Sequence, residues 1–345
     1  MKDMIRWGVI GSTGIARRRT IPEGITKASN ATLVSVYSPE AQANRDVARQ
    51  FGAKAAGSVG ELLGAEVDAV YISSPPATHV EHAIACARAG KHVLCEKPLA
   101  LDVAGAERVV RACADAGVTL GAALMMRFHA QHRAALQFIR EGRLGKPVLG
   151  RAQLSCWYPP IPGAWRQNPA EGGGGSLMDM GGHCLDLLEM FFGHVTVVSC
   201  MTNRTVHGYE VEDSAVVTAQ FANGALGVVD AFFCIPDAAS KNVLELYGSK
   251  GSILARGTIG QGDAGEMTAF IEEDKGYDAA QARAAAQGIP INPQPVNTYR
   301  AEIEEFGRAI LEKRAPENSA EVGLRSQRIL AACYQSAAEK RTVGL

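Results

Sequence analysis

The first third of the chain alternates short apolar runs with helical patterns, and this alternation restricts the fold more than any other feature. The run at 67–73 is largely apolar without strict alternation, which suits a strand buried on both faces of a parallel sheet. Strands that alternate with helices through short loops predict a doubly wound parallel sheet with right-handed crossovers. The predicted strands are 5–10, 32–37, 67–73, 92–95 and 118–125. Four helices are predicted between and after them: two that end near residues 27 and 52, and two that cover 79–89 and 103–116.

The pattern changes near residue 123, where longer β-type segments replace the strand–helix units. The segments 222–224 and 248–251 contain glycine and are typical of hairpin turns. We therefore expect an α/β protein in which residues 1–122 form the parallel-sheet domain. Residues 123–345 form an α+β domain with a large, mainly antiparallel open sheet, and the C-terminal helix packs back on the first domain. The predicted strands are 148–157, 195–205, 214–221, 225–233, 243–247 and 252–255, the predicted helices are 130–141, 176–192, 299–311 and 321–338, and 257–297 is expected to be a long excursion.

Composition excludes several classes of protein. Hydrophobic residues make up 47% and charged residues 21% of the 345 residues, and the formal net charge of −1 provides no field that would recruit nucleic acid or an anionic membrane. The N-terminus has no apolar run of signal-peptide length, and no stretch approaches a membrane span. The eight cysteines are scattered without a CxxC pair. We expect a reduced, cytoplasmic protein with no metal site, no nucleic-acid partner and no membrane partner.

A glycine-rich turn joins the first predicted strand to the first predicted helix over residues 8–16. A dinucleotide pyrophosphate needs backbone N–H groups at a helix N-terminus and small residues that let the main chain approach. Thr13 stands where the common fingerprint has its second glycine, so the motif is a variant. The alternative is a glycine-rich turn that binds nothing. The candidate cofactor-binding residues in this turn are Gly11, Ser12, Thr13, Gly14 and Ile15.

The end of the second strand bears on the choice of cofactor. NAD-binding domains usually place an acidic residue there for the ribose hydroxyls, and this chain has no acid until Glu40. Ser38 could donate a hydrogen bond to a 2′-phosphate, with Arg17, Arg18 or Arg45 as its ionic partner. The missing acid therefore favours NADP slightly over NAD. The alternative is that these arginines form a solvated helix face.

Charged residues end the buried strand at 92–95, in the sequence Glu96-Lys97-Pro98. Ligands of open α/β sheets bind beyond the carboxyl ends of the strands. The ammonium of Lys97 could hydrogen-bond a substrate hydroxyl and stabilise an alkoxide that develops there. Pro98 would stiffen the turn, through a cis bond in one interpretation. An ordinary Glu–Lys pair at a strand end is the alternative.

Three segments together resemble the glucose–fructose oxidoreductase / inositol dehydrogenase / rhizopine catabolism protein family: residues 8–16, 74–79 and 96–98. The resemblance covers essentially the whole chain and is strongest through about residue 192. It implies a Rossmann domain, a nicotinamide cofactor and a C-terminal domain whose open sheet forms a homo-oligomer, either a dimer or a tetramer. It also implies Lys97 at the reaction centre, and a cofactor lined by Ser74, Pro75, His79 and Glu96.

Asp179 and His183 lie four residues apart on a helix predicted to begin near 176, so they share one face. Histidine is the natural proton acceptor near neutral pH, and a neighbouring carboxylate can orient it. The preceding glycines 172–175 would let the backbone approach a ligand closely. The alternatives are an acid favoured by the helix dipole beside a surface histidine, or a metal site that lacks a third ligand. The family's Asp-x-x-x-His motif matches both residues, and it implies that the histidine, or in some members the lysine, is the acid/base.

Further candidates follow from weaker patterns. Trp165 and Arg166 resemble a family segment that reaches the cofactor, and their alternative is a surface aromatic–cation pair. Arg127 falls where inositol dehydrogenase-like members contact substrate, and its alternative is a salt bridge. Tyr158 could stack on a sugar face but is equally a sheet residue. Four histidines have spacings that suggest a metal, yet helix-surface positions are the simpler interpretation: His79, His82, His129 and His132.

The sequence therefore predicts an NAD(P)-dependent oxidoreductase that acts on a secondary alcohol or carbonyl of a sugar, a sugar derivative or a cyclitol. One alternative is a non-catalytic dinucleotide- or sugar-binding regulator with the same fold. Another is a reductase or dehydrogenase of a non-sugar substrate, such as a dihydrodiol or a tetrapyrrole. The full set of Lys97, Asp179 and His183 favours an enzyme, since a silent relative has no need to keep all three.

Overall fold

The structure of the protein is a computed structural model that describes residues 4–272, 276, 279 and 287–345. Its first sheet has six parallel strands, which confirms the predicted doubly wound sheet. The strand order is β3-β2-β1-β4-β5-β6, so the chain reverses direction across the sheet between β1 and β4. Such a reversal opens a crevice at the carboxyl ends of the strands. The strands are β1 (Ile5–Ile10), β2 (Ala31–Tyr37), β3 (Lys54–Ala55), β4 (Ala69–Ile72), β5 (His92–Glu96) and β6 (Leu120–Ala123).

Helices cover both faces of this sheet, because every central strand is apolar on both sides. One face buries Trp7 and Tyr71, and the other buries Val70 and Val93. Strand β3 and helix α3 were not predicted, because two and six residues are too few to show a period. The helices are α1 (Ala16–Ile25), α2 (Ala41–Phe51), α3 (Val59–Gly64), α4 (His79–Arg88) and α5 (Val103–Asp115).

The second sheet has nine strands in the order β14-β13-β12-β11-β7-β10-β9-β8-β15. Only β7 and β10 pair in parallel, which confirms a mainly antiparallel sheet. Side chains alternate along each strand, so that one face packs on Leu188, Phe192 and Leu330 and the other is open. The strands are β7 (Pro147–Ser155), β8 (Val195–Asn203), β9 (Ser214–Phe221), β10 (Leu226–Phe232), β11 (Val243–Gly248), β12 (Gly251–Arg256), β13 (Glu266–Ile271), β14 (Gly288–Pro290) and β15 (Val343–Gly344).

Strands β13 and β14 lie within residues 257–297, so the prediction of one long excursion there is wrong. Strand β13 buries Met267 and Ala269 in strict alternation, but six residues among glycines did not reveal the period. Within the predicted excursion, residues 273–286 apart from 276 and 279 lie outside the described residues.

The longer helices of the rest of the described chain are α6 (Ala130–Arg140), α7 (Gly182–Phe192), α8 (Thr298–Glu312) and α9 (Ala320–Glu339), and short helical turns lie at Pro169–Gly172 and Leu177–Gly181. The C-terminal pair returns to the first sheet, where Phe306 packs on Trp7 with ring centroids 5.7 Å apart. The amide of Asn318 donates to the carbonyl of Ala122 at 2.8 Å, at the end of β6. In the described part of the chain, no helix combines the length and the apolar character needed to cross a membrane.

Candidate active site

A cavity of about 340 Å³ lies at the carboxyl ends of β4 and β5, where the first sheet faces the second. Its walls come from both halves of the chain, so neither half forms it alone. Nine of the residues proposed from sequence line it: Ile15, Ser74, His79, Glu96, Lys97, Trp165, Arg166, Asp179 and His183. Pro76, from the loop 74–79 expected at the cofactor, lines it too. Residues that sequence reasoning did not single out also line it, among them Ser155, Cys156, Asp237, Asn242 and Tyr299.

The glycine-rich turn enters this crevice at Gly11. Its φ is +81°, and a Cβ on this residue would lie 2.4 Å from the backbone nitrogen of Ser74, so no other residue fits here. Ser12 is buried and its hydroxyl donates to Asn44 at 2.9 Å, while Gly14 is exposed at the start of α1. A close, glycine-permitted approach next to a helix start fits a dinucleotide pyrophosphate. Of the turn, only Ile15 lines the cavity; the other predicted cofactor residues that do not line it are Gly11, Ser12, Thr13, Gly14, Ser38 and Pro75.

The end of β2 differs from the interpretation drawn from sequence. The hydroxyl of Ser38 is buried and donates to the carboxylate of Glu40. Arg17 and Arg45 donate to Gln50 and Gln42 instead, at 3.2 and 2.7 Å. Glu40, which comes two residues after Ser38, therefore brings an acid to the end of β2.

Lys97 and Asp179 meet across the cavity, from the end of β5 and from the helical turn Leu177–Gly181. The Lys97 Nζ donates to the Asp179 carboxylate and to its backbone carbonyl, both at 2.6 Å. The Arg166 guanidinium adds a contact of 3.3 Å to the other carboxylate oxygen and stacks 4.1 Å over the Trp165 ring. Burial opposes the charged carboxylate, yet the two cations hold the pKa of Asp179 well below its usual range. The result is a fixed cation–anion–cation cluster beside the reaction space.

The expectation that Asp179 orients His183 is not met, because the carboxylate is engaged by Lys97 and Arg166. The His183 Nδ1 is buried and has no hydrogen-bond partner among the described residues. Burial, together with the nearby charge of Lys97, lowers the pKa of His183 to about 3. His183 is therefore a neutral imidazole at pH 7 and can accept a proton from a group in the cavity.

Glu96 faces the cavity next to Lys97, and a hydrogen bond from Tyr71 fixes its carboxylate. The Tyr71 hydroxyl donates to the Glu96 carboxylate and itself receives a hydrogen bond of 3.0 Å from Thr20. Burial raises the pKa of Glu96, although Lys97 and the hydrogen bond from Tyr71 oppose the rise. Sequence reasoning missed Tyr71 because its run is typical of an ordinary buried strand. The Lys97–Pro98 peptide bond is cis, as the sequence interpretation suggested.

His79 is buried, which corrects the surface position expected for it. Its ring nitrogens contact the carbonyl oxygens of Pro98 and Ser74, at 2.8 and 2.7 Å. Burial lowers the pKa of His79 to about 4, so the neutral ring has one proton and donates to only one of the two carbonyls. His79 thus ties the loop after β4 to the Lys97–Pro98 turn. His129 and His132 are also buried rather than on a helix surface.

The glycines at 172–175 approach protein atoms rather than open space. A Cβ on Gly175 would lie 1.9 Å from the Glu212 carbonyl, and one on Gly174 would lie 1.9 Å from the Tyr334 hydroxyl. The Glu212 carboxylate accepts from the backbone N–H groups of Gly175 and Leu177, at 2.9 and 3.0 Å. Glu212 therefore caps the helical turn that presents Asp179, a role that the sequence pattern did not reveal.

The two residues expected to bind substrate do not line the cavity. The Arg127 guanidinium forms a buried ion pair with Asp186, with contacts of 2.7 to 2.9 Å, which is the salt-bridge alternative. Tyr158 lies just past the end of β7, and its ring packs on Phe233 with centroids 5.0 Å apart. Direct substrate contact is therefore assigned to neither.

Two family models match the chain. An oxidoreductase family model with an NAD-binding Rossmann fold matches residues 5–124, and a GFO/IDH/MocA C-terminal domain model matches residues 132–254. The chain is 32% identical to 1,5-anhydro-D-fructose reductase of Ensifer adhaerens, over 93% of this chain and 92% of that protein. It is 28% identical to myo-inositol 2-dehydrogenase of Thermotoga maritima, over 97% of this chain and 98% of that protein.

The fold also matches solved structures. Aldose-aldose oxidoreductase from Caulobacter crescentus, complexed with glycerol, aligns with a TM-score of 0.88 and 27% identity, covering 99% of this chain and 100% of that chain. The sequence and structure comparisons agree over nearly the full length, so the likeness extends across both sheets.

Proposed function

The chain belongs to the GFO/IDH/MocA oxidoreductase family, and on that basis we propose that it transfers hydride between a nicotinamide cofactor and a secondary alcohol or carbonyl of a sugar, a sugar derivative or a cyclitol. The observation that carries this proposal is the cavity between the two sheets, which brings the Lys97–Asp179 ion pair together with the neutral imidazole of His183. The sugar- and cyclitol-converting relatives named above support the substrate class.

The residues divide the chemistry between them. Oxidation of a carbinol removes a hydroxyl proton and a C–H hydride, and a nicotinamide held here would supply the hydride acceptor. His183 accepts the hydroxyl proton, because it enters the cavity uncharged and without a competing partner. Lys97 stabilises the alkoxide charge that develops on the same oxygen, and its hydrogen bond to Asp179 orients the ammonium. The reverse reaction returns the proton from His183 to the carbonyl oxygen.

Residues of the first sheet would hold the cofactor. The turn of Gly11, Ser12, Thr13, Gly14 and Ile15 would contact the pyrophosphate through its backbone, since a Cβ on Gly11 has no room. Toward the nicotinamide end, the cavity-lining residues Ser74, His79, Glu96, Trp165 and Arg166 would contact the cofactor, together with Pro75 beside Ser74.

Turnover by variants of the two central residues tests the mechanism. Lys97→Ala and His183→Ala should each lower kcat by at least about 100-fold, since each removes a group that acts on the reacting oxygen. Both should bind NADH with a Kd within about threefold of the wild type. The measurement is reduced-nicotinamide absorbance with a panel of myo-inositol, D-xylose, D-glucose and 1,5-anhydro-D-fructose. Unchanged turnover in both variants would contradict the assigned roles.

We propose that Glu40 selects NAD(H) over NADP(H). The sequence favoured NADP(H) because no acid comes earlier at the end of β2. The hydrogen bond from Ser38 to the Glu40 carboxylate supports the proposal, because the serine hydroxyl is engaged there and a carboxylate would repel a 2′-phosphate while accepting from ribose hydroxyls. The arginines Arg17 and Arg45 do not pair with Glu40, so its charge is not neutralised by them.

Cofactor affinities test this choice. Glu40→Ser should raise the Kd for NADH and lower the Kd for NADPH, shifting their ratio by about tenfold, because it removes both an acceptor and a negative charge. Fluorescence titration measures both constants without turnover. Glu66→Ser, an exposed acid beyond the opposite end of β1, is the matched control. A wild-type protein that binds NADPH more tightly than NADH would restore the preference drawn from sequence.

We further propose a cytoplasmic homo-oligomer, a dimer or a tetramer, that associates through the open face of the second sheet. Met201, Leu226 and Val216 expose 75%, 54% and 37% of their surface on strands of that sheet, and all eight cysteines are free thiols. Light scattering should give a multiple of the 36.5 kDa chain. Charges introduced as Met201→Glu with Leu226→Glu should reduce that mass to the monomer, and a monomeric wild type would defeat the proposal.

A further inference from the structure

Ser155, the last residue of β7, has a buried hydroxyl that no described residue satisfies. The residue is 4% exposed and lines the cavity, yet its Oγ has no hydrogen-bond partner in the described part of the chain. Its backbone N–H donates to Asn242 at 3.1 Å, and its carbonyl lies 3.2 Å from the Ser240 hydroxyl. A buried hydroxyl without a partner is costly, so this atom is available to a ligand in the cavity.

Asn242 lines the same wall and holds an uncommon backbone conformation. Its φ is 44°, and of the three described non-glycine residues with positive φ the other two, Lys313 and Lys340, end helices. A left-handed residue that does not end a helix stores strain, which the surrounding structure must hold. Here the carbonyl of Asn242 accepts from Gly257 at 3.2 Å, which anchors the backbone.

The side chain of Asn242 is fixed by its oxygen alone. Its Oδ1 accepts from the Ser155 N–H and from the Ser240 hydroxyl, the latter at 2.8 Å. The amide orientation is therefore determined, and Nδ2 is left as a donor without a described partner. Asp237, also on this wall, uses one carboxylate oxygen to accept from the Trp157 N–H at 3.1 Å. Together the three residues offer a donor, a hydroxyl and an acceptor.

We infer that Ser155 and Asn242 form a subsite that binds a hydroxyl group of the substrate away from the reacting carbon, with Asp237 at its edge. The inference rests on the proposed function and narrows its substrate class. A hydroxyl both donates and accepts, as this wall requires, whereas a carboxylate or phosphate would meet the charge of Asp237. The two cations nearest the cavity centre, Lys97 and Arg166, already pair with Asp179. The substrate is therefore a neutral polyol or sugar with at least one hydroxyl besides the reacting one.

Two variants test the subsite. Ser155→Ala removes the hydroxyl, and Asn242→Asp removes the Nδ2 donor while keeping an oxygen for Ser155 and Ser240. Each should lower kcat/KM for the best polyol or sugar of the panel about tenfold, mainly through KM. Thermal unfolding and the Kd for NADH should stay near wild-type values. Ser29→Ala and Asn203→Asp, the same exchanges at exposed positions, are the matched controls.

Deoxy analogues of the same substrate separate recognition from a general defect. With the wild type, the analogue that lacks the bound hydroxyl should lose about tenfold in kcat/KM. With Ser155→Ala or Asn242→Asp, that analogue should lose nothing further. An active wild type whose two variants both remain within twofold for every substrate overturns the subsite alone. A wild type that turns over no polyol or sugar overturns the proposed function, and the subsite with it.

Discussion

The roles open to Lys97 and His183 depend on which of them pairs with the Asp179 carboxylate. Asp179 is one helical turn from His183, but its carboxylate lies 2.6 Å from the Lys97 ammonium and 3.3 Å from Arg166. Buried charges must be paired, and a cation from the other half of the molecule is a better partner than a neutral ring. In the proposed mechanism, Asp179 therefore positions Lys97. His183 remains uncharged, so its ring keeps a nitrogen lone pair that is free to take up a proton.

The pH dependence of oxidation tests this arrangement at the residue scale. Burial lowers the pKa of His183 to about 3, so the imidazole is already neutral throughout the ordinary range. The kcat/KM for alcohol oxidation reports the free enzyme's groups. It should be nearly constant from pH 5.5 to 8 and fall only at lower pH, as the imidazole takes up a proton.

The same profile measured with Asp179→Asn serves as the comparison. That variant should lose about 100-fold in kcat/KM, because Lys97 is no longer held against the reacting oxygen. Asp115→Asn, an exposed acid at the end of α5, should behave as wild type. A tenfold rise in wild-type kcat/KM for each pH unit between 6 and 8 would assign the base to a different group.

At the scale of elements, the reactive turn is built by a cap from a distant loop. The turn Leu177–Gly181 and helix α7 follow a run of glycines, which offers no side chain to satisfy the first N–H groups. Glu212 supplies the missing acceptor from the loop before β9, and the Tyr334 hydroxyl donates to the same carboxylate oxygen at 2.9 Å. The orientation of Asp179 and His183 therefore depends on Glu212.

Removing this cap should affect stability and rate together. Glu212→Ala leaves two backbone donors without a partner and should destabilise the fold by about 2 kcal/mol. It should also lower kcat more than it weakens NADH binding, since the turn carries the reactive side chains and not the glycine-rich loop. Urea unfolding and steady-state kinetics measure both effects. Glu210→Ala removes an exposed acid two residues away and should leave both unchanged; equal effects in the two variants would refute the capping role.

At the scale of the whole molecule, three buried histidines make the fold sensitive to acid. Burial lowers the pKa of His79 to about 4 and the pKa values of His132 and His183 to about 3. Each has a lower pKa in the folded state than in the unfolded state, so the unfolded chain binds more protons. The stability they contribute is present above about pH 6.5 and is lost as the pH falls toward 3 to 4. Burial raises the pKa of Glu96 and of Glu302, which opposes this trend in acid.

Replacing His132 with a residue that does not titrate separates its contribution to the pH dependence of stability from that of the other histidines. His132 Nδ1 contacts the Met126 carbonyl at 2.8 Å, and His132→Asn keeps a donor there without a titrating ring. From pH 7 to pH 5, the wild type should lose about 2 kcal/mol more stability than the variant. The free energy of urea unfolding at the two pH values gives this difference, in which any constant packing loss cancels. Parallel curves would show that His132 does not titrate on unfolding.

The division into residues 1–122 and 123–345 remains a prediction, although the two family models end and begin near it, at residues 124 and 132. The C-terminal helices do not fit a single domain boundary in the sequence, since α8 places Phe306 against Trp7 of β1. Helix α9 likewise contributes Leu324 to the core of the first sheet and Leu330 to that of the second. The two halves therefore share core residues rather than only a cleft.

Sequence by itself determined the features that depend on neighbours along the chain. Short apolar runs and helical patterns located the central strands and most helices, and the turn chemistry of Gly11 and the Glu96–Pro98 segment located the carboxyl edge where the cavity opens. Tertiary structure alone decided which polar groups meet. Lys97 and Asp179 are 82 residues apart, Arg127 and Asp186 are 59 apart, and Ser155 and Asn242 are 87 apart. A local pattern fixes which face a side chain is on, but a buried polar atom takes whichever partner the packing of remote elements brings within 3 Å.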